Sequence, residues 1–199
     1  IPLAEETGLI HALGEELITE ACRHAASWPQ ETGGSLIISP NLSGRQFDRE
    51  DLVPSLVSAV ESSGLAPSRF EFEITESAIT RATGKIEDLR SHGFGILVDD
   101  FGTGYSSFHY LRDLELDGLK IDMSFVQGLN GNEKGRGLVE TMVTLGRSMA
   151  MTVVAEGVET EEQQKVLQQL GCILGQGFLF ARPMPAKEIP DFLEESAGP

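Results

Sequence analysis

The chain has 199 residues, 40% of them hydrophobic, enough for one well-buried core and, on length, for one domain. Its formal net charge of -16 opposes long-range attraction to nucleic acid or anionic lipid, so neither DNA nor RNA is an expected partner. No apolar run approaches the ~20 residues that cross a bilayer, and Cys22 and Cys172 lack the spacing of a disulfide framework or zinc site, which favours a reducing cytoplasm.

The chain opens at Ile1-Pro2 with no initiator methionine and no signal-peptide pattern, so further sequence upstream is expected. Leu9, Ile10, Leu13, Leu17, Ile18 and Ala21 recur at helical spacing and predict a helix over Leu3 to Ala25. A first strand is predicted over Ser35 to Asn41, and a second helix over Asp51 to Ser63 from Leu52, Leu56, Val57 and Val60. Strands then follow at Phe70 to Thr75, Gly95 to Asp99, Gly118 to Ile121, Thr152 to Ala155 and Cys172 to Gly177. Between and after them, helices are predicted over Thr83 to Ser91, Ser106 to Leu114, Glu133 to Met149, Glu161 to Leu170 and Ala186 to Glu194. Gly64, Gly93 and Gly171 are the expected stops. Pro183-Met184-Pro185 reads as a turn, and no linker or repeat divides the chain.

This alternation predicts an α/β protein with a parallel sheet, either an open doubly wound sheet or a closed (β/α)8 TIM-like barrel. The barrel is preferred because no GxGxxG or Walker A string follows an early strand. A complete barrel takes about 250 residues, so it is expected to be incomplete at its N-terminus.

Nearly every predicted strand ends in a polar group: Asn41, Glu73 and Glu76, Asp99 and Asp100, Lys120 and Asp122, Glu156 and Glu159, then Gln176. In a barrel such ends converge on one rim, and an oxygen-rich site of this kind suits Mg2+ or Mn2+. Each signal also has a plain reading. Alternating Glu71, Glu73 and Thr75 fits an edge strand with a solvated face, and Asp99-Asp100-Phe101-Gly102 fits an ordinary turn. Lys120 fits a salt bridge to Asp122 or another carboxylate, and Glu159 an acid at a helix N-terminus. Two carboxylates at a barrel rim would also serve a glycosidase. The four histidines are scattered without metal spacing, and Ser106-Ser107 lacks a nucleophile elbow.

Asn41-Leu42-Ser43, Glu73-Ile74-Thr75-Glu76-Ser77, DDFGTGYSS from Asp99, KID from Lys120, AEGVET from Ala155 and GQGFLFARPMP from Gly175 resemble, in order, the motifs of EAL domains. The likeness runs from the opening residues to Pro185, and implies a single EAL-type barrel domain over residues 1–199. It implies hydrolysis of cyclic di-GMP to linear pGpG with two Mg2+ or Mn2+ ions. By the same resemblance Asn41, Glu73 and Asp99 hold the first ion, and Asp99, Asp100 and Glu159 serve the second. Lys120 and Glu156 act on the attacking water, Glu156 as general base. Glu76 steadies the loop after Asp100, and Gln176 lines the site. A homodimer and an upstream sensor or signalling domain are further implications. The Glu-Ala-Leu string that names the family does not occur in the chain, and its place in the family precedes Ile1. The Glu76 to Asp99 segment is also shorter than in most relatives by about one helical turn. A receptor that holds cyclic di-GMP without cleaving it, and a scaffold for protein contacts, are the alternatives.

Overall fold

The structure, a computed structural model, describes residues 1–28, 36–104, 109–129 and 133–196. The helices are α1 (Pro2–Thr7), α2 (Ile10–Ser27), α3 (Leu52–Ser62), α4 (Glu76–Ser91), α5 (His109–Asp113), α6 (Met123–Gln127), α7 (Glu133–Ser148), α8 (Glu161–Leu170) and α9 (Ile189–Ser196). The strands are β1 (Glu71–Thr75), β2 (Gly95–Phe101), β3 (Gly118–Ile121), β4 (Thr152–Ala155) and β5 (Leu174–Gly175). The strands form one sheet in the order β1-β2-β3-β4-β5, and β2 to β5 pair in parallel. Sequential parallel strands separated by helices are the α/β architecture of a TIM-like barrel, here an incomplete one. No helix among the described residues is long and apolar enough to cross a membrane.

Contacts divide the chain into two compact units, Ile1–Ile74 with Arg81–Gly95 and Pro183–Pro199, and Thr75–Thr80 with Ile96–Arg182. In the first, α2 and α3 bury Ile10, Ile18, Cys22, Leu52, Val53, Leu56 and Val60. Phe94 meets Phe70 edge-on at 6.5 Å and Phe72 at 5.2 Å, geometries that suit aromatic quadrupoles. In the second unit, Leu119, Ile121, Val126, Val139, Val143, Ala155, Val158 and Leu167 form the core. There α7 lies close on the sheet, since a Cβ on Gly146 would fall 2.3 Å from Val153 Cγ2.

Several boundaries depart from the sequence expectation, each for a local reason. The predicted Leu3 to Ala25 helix is two helices, because Gly8 takes a left-handed conformation at φ 77° and caps the first. The Ser35 to Asn41 strand is reduced to isolated parallel bridges, Ile38 to Phe70 and Asn41 to Glu73; Pro40 has no N–H to give a ladder. Ser35 itself lies outside the described residues, as do Ser106 and Ser107 at the start of the predicted Ser106 to Leu114 helix. Helix α4 begins at Glu76 rather than Thr83, and Ala78, Ile79, Ala82, Ile86 and Leu89 give it a continuous buried stripe. Strand β5 keeps only two residues, because the Cys172 N–H closes the end of α8 on Leu167 O at 2.9 Å. Gly118–Ile121, Thr152–Ala155 and Glu161–Leu170 match their predicted bounds.

Candidate active site

In the first unit, Asn41 bridges Glu73 across a parallel pair: Leu42 N–H donates to Glu73 O at 2.8 Å, and Glu73 N–H to Pro40 O at 3.0 Å. Glu73 is buried between the fully buried Phe72 and Ile74, so both faces of β1 are covered and the solvated-edge reading does not apply. Asn41 is exposed.

In the second unit, the register of β3 and β4 sets Lys120 opposite Val154 and Ile121 opposite Ala155. Glu156 continues that alignment, its N–H donating to Ile121 O at 3.0 Å. Side chains alternate with period two, so Glu156, two residues past Val154, projects on the same face as Lys120. The Lys120 ammonium lies 2.5 Å from Glu156 Oε1 and 3.4 Å from Asp99 Oδ1, all three side chains being largely buried, with 5%, 19% and 13% exposure. A lysine this buried needs such partners, because an uncompensated ammonium is expensive to remove from water. Asp122 is otherwise engaged, accepting the Ser124 N–H at 3.0 Å as the N-cap of α6.

Adjacent residues of a regular strand point to opposite faces, yet Asp99 and Asp100 act on the same side. The reason is a break in register between Val98 and Phe101, where Asp100 takes the left-handed conformation at φ 53°. Asp tolerates that region better than most side chains. The result is a group of carboxylate oxygens from Asp99, Asp100 and Glu156 within 4.8 Å of one another. Burial, and then the charges of Asp99 and Asp122, push the Asp100 carboxyl above the usual carboxylate range, with Lys120 opposing. Burial raises Glu156 as well, against the hydrogen bond and charge of Lys120, and Asp99 and Asp100 add to the rise. Asp99 Oδ1 is buried and accepts no hydrogen bond, Lys120 standing beside it at ion-pair distance only. Three crowded hard oxygen donors, one of them an unpaired acceptor, fit a divalent cation such as Mg2+ or Mn2+.

Glu76, buried at the start of α4, accepts the Gly102 N–H on Oε2 at 3.3 Å, and its carboxylate lies 3.4 Å from where a Gly104 Cβ would stand. It therefore holds the loop after Asp100 from beneath. That loop continues into Tyr105, Ser106 and Ser107 of the DDFGTGYSS string, outside the described residues. Glu159 is exposed and not one of the three gathered carboxylates; its N–H donates to Gln163 Oε1 at 2.8 Å. Gln176 is exposed beside the end of β4, where its N–H donates to Ala155 O at 2.8 Å and its carbonyl accepts from Val158 N–H at 3.0 Å. Sequence reasoning passed over Gln163, although Thr160-x-x-Gln163 is a capping-box spacing that marks it.

Removing one charge from the group isolates its repulsion. Asp100→Asn keeps a residue suited to φ 53° and is expected to raise the melting temperature of metal-free protein at neutral pH by about 1–3 °C. The sign follows from the raised pKa: the folded state holds the Asp100 proton more tightly than the unfolded chain, so wild type recovers this stability as pH falls through the folded-state value. Calorimetry across that range should show the gap between the two proteins closing.

A buried lysine set between carboxylates at the ends of parallel strands, with Asp99, Asp100 and Glu156 gathered beside it, defines an α/β fold with an acidic cluster that could hold a metal ion. The EAL domain model matches residues 1–183, and the chain belongs to the EAL domain family. It is 44% identical over 193 residues to the bifunctional diguanylate cyclase/cyclic di-GMP phosphodiesterase MucR of Pseudomonas aeruginosa, covering 95% of this chain and 28% of that protein. The chain thus spans under a third of the curated relative's length. Among solved structures it is similar to PaMucR phosphodiesterase in complex with c-di-GMP, at TM-score 0.88 and 44% identity over 94% of this chain and 78% of that one. It is also similar to Klebsiella pneumoniae BlrP1 in its pH 6 manganese/cy-diGMP complex, at TM-score 0.79 and 30% identity over 87% and 44%.

Proposed function

We propose that the chain is a metal-dependent phosphodiesterase that hydrolyses cyclic di-GMP to linear pGpG. The observation that carries this reading is the Lys120 ammonium held between Glu156 and Asp99, with Asp100 gathered alongside. The names of MucR and of the PaMucR and BlrP1 complexes support the substrate.

Asp99 and Asp100, gathered with Glu156, would hold metal, and the family resemblance assigns Asp99 to both ions. By family resemblance Asn41 and Glu73 complete the first site and Glu159 adds to the second. Bound Mg2+ or Mn2+ would polarise the phosphoryl oxygens and make a water more acidic. Glu156, its proton affinity raised by burial, takes a proton from the attacking water as its oxygen bonds to phosphorus. The P–O3′ bond breaks, since pGpG carries a free 5′ phosphate, and the leaving oxygen gains a proton. Lys120 keeps Glu156 oriented and offsets charge growing on the phosphoryl oxygens. Glu76 fixes the backbone that presents Asp100, and Gln176 contributes a polar group from the residue after β5. Residues 1–199 are read as one working domain, since one family model spans parts of both compact units. Two free thiols, Cys22 and Cys172, suit a cytoplasmic site. A homodimer and a separate sensor segment rest on the resemblance alone.

Purified protein incubated with cyclic di-GMP and Mn2+ should yield pGpG by chromatography, and excess EDTA should stop it. Cyclic di-GMP binding by calorimetry without any product would identify a receptor instead. Neither binding nor product would leave only a scaffold.

A further inference from the structure

Gln163 is buried, although Glu161 and Glu162 beside it at the start of α8 are exposed. Its Oε1 accepts the N–H groups of Thr160 at 2.9 Å and Glu159 at 2.8 Å, and its own N–H donates to Thr160 Oγ1 at 3.2 Å. A capping box requires only the reciprocal pair with Thr160. The remaining contacts lead away from α8. One fixes the backbone of Glu159, and in the other Nε2 donates to Val126 O in α6 at 3.4 Å. Helix α6 begins at Met123, just after Lys120-Ile121-Asp122. The turn that carries Glu156 rests on that same helix start: Gly157, at φ 67°, lies so close that a Cβ there would stand 2.6 Å from Met123 Cβ. The Glu156 to Thr160 segment is thus held to α6 at both ends, by Gly157 on Met123 and by Gln163 on Val126.

We propose that Gln163 is a positioning residue for the hydrolysis, its carboxamide tying the segment that carries Glu156 to the helix that follows Lys120 and so fixing the pairing of those two side chains. This rests on the phosphodiesterase reading for its kinetic consequence, but its structural content stands apart from it.

Gln163→Met keeps the length and helix preference of the side chain while removing the carboxamide. Misplacement of a catalytic group by about 1 Å costs as much as ~100-fold, so kcat should fall about 10–100-fold with KM within about twofold. Gln163→Glu keeps the oxygen that accepts from Thr160 and Glu159, and so the capping box, but turns the donor to Val126 O into an acceptor, so kcat should stay lowered as in Gln163→Met. Thr160→Val, which weakens the helix start but leaves the carboxamide, serves as the control: it should lower the melting temperature with kcat little changed. Amide hydrogen exchange supplies a readout free of turnover, and Gln163→Met should lose protection at Glu156, Glu159 and Thr160. Should Gln163→Met not fold, Gln163→Asn, which withdraws the carboxamide by one carbon, takes its place with the same expectations. Unchanged kcat together with unchanged protection at Glu156 would overturn the proposal. If wild type makes no pGpG, the phosphodiesterase reading fails, and protection at Glu156 alone decides the role of Gln163.

Discussion

Glu156→Gln is expected to abolish hydrolysis of cyclic di-GMP, with a loss of about 10²–10⁴-fold in kcat, while the dinucleotide still binds to within a few-fold of wild type. The two side chains have the same shape, so the substitution removes proton affinity and little else. Glu156 is the carboxylate that touches Lys120 most closely, and burial raises its readiness to hold a proton. A glutamine there still accepts a hydrogen bond from Lys120 but takes no proton from water at neutral pH. Paired measurements of product formation and of binding by calorimetry check this directly. A loss confined to binding would assign Glu156 to substrate contact rather than to proton transfer.

Lys120→Met should damage both stability and turnover. The methionine fills the buried space but leaves Asp99 and Glu156 as largely buried carboxylates without their cation. Breaking a buried ion pair from one side costs about 3–5 kcal/mol; with both acids retaining some exposure, about 2–4 kcal/mol is the expected loss in metal-free protein. For a chain of this size that corresponds to a fall on the order of 5–15 °C in melting temperature. Mn2+ should recover part of it, because a divalent ion beside Asp99 offsets the same charge. Turnover should fall by about 10²–10³-fold even where the variant is folded, as for the removal of one donor to developing charge. Lys120→Arg should not rescue it, since a planar guanidinium does not fit a space shaped around a compact ammonium. Calorimetric melting with and without Mn2+, and kcat below the lowered transition, separate the two effects.

The parts of this site that were legible in the sequence are those set by strand periodicity. Lys120 and Glu156 each follow a short apolar run, and the parallel pairing of Gly118–Ile121 with Thr152–Ala155 brings them to one face as strand ends should. Glu73 was legible as a strand carboxylate but not as a buried one, because alternation of Glu and Phe reads the same whether or not a second layer covers the glutamate face. Asp99 and Asp100 stood out as a pair, yet nothing in the dipeptide announces the register break and the left-handed Asp100 that let both act on one side. Glu159 reads like its neighbour Glu156 in the chain, but the turn at Gly157 leaves its carboxylate outside the gathered three. Gln163 was hidden for the opposite reason. A polar residue in the first turn of an amphipathic helix is ordinary, and only its burial and its bond to Val126 reveal that it joins two elements.

Anomalous scattering from crystals grown with Mn2+ tests most directly the claim that these carboxylates form a metal centre. Manganese is expected on Asp99, through the oxygen that otherwise accepts no hydrogen bond, with Asp100 as a second ligand to the bound metal. Manganese bound elsewhere, with Asp99 facing only Lys120, would contradict it.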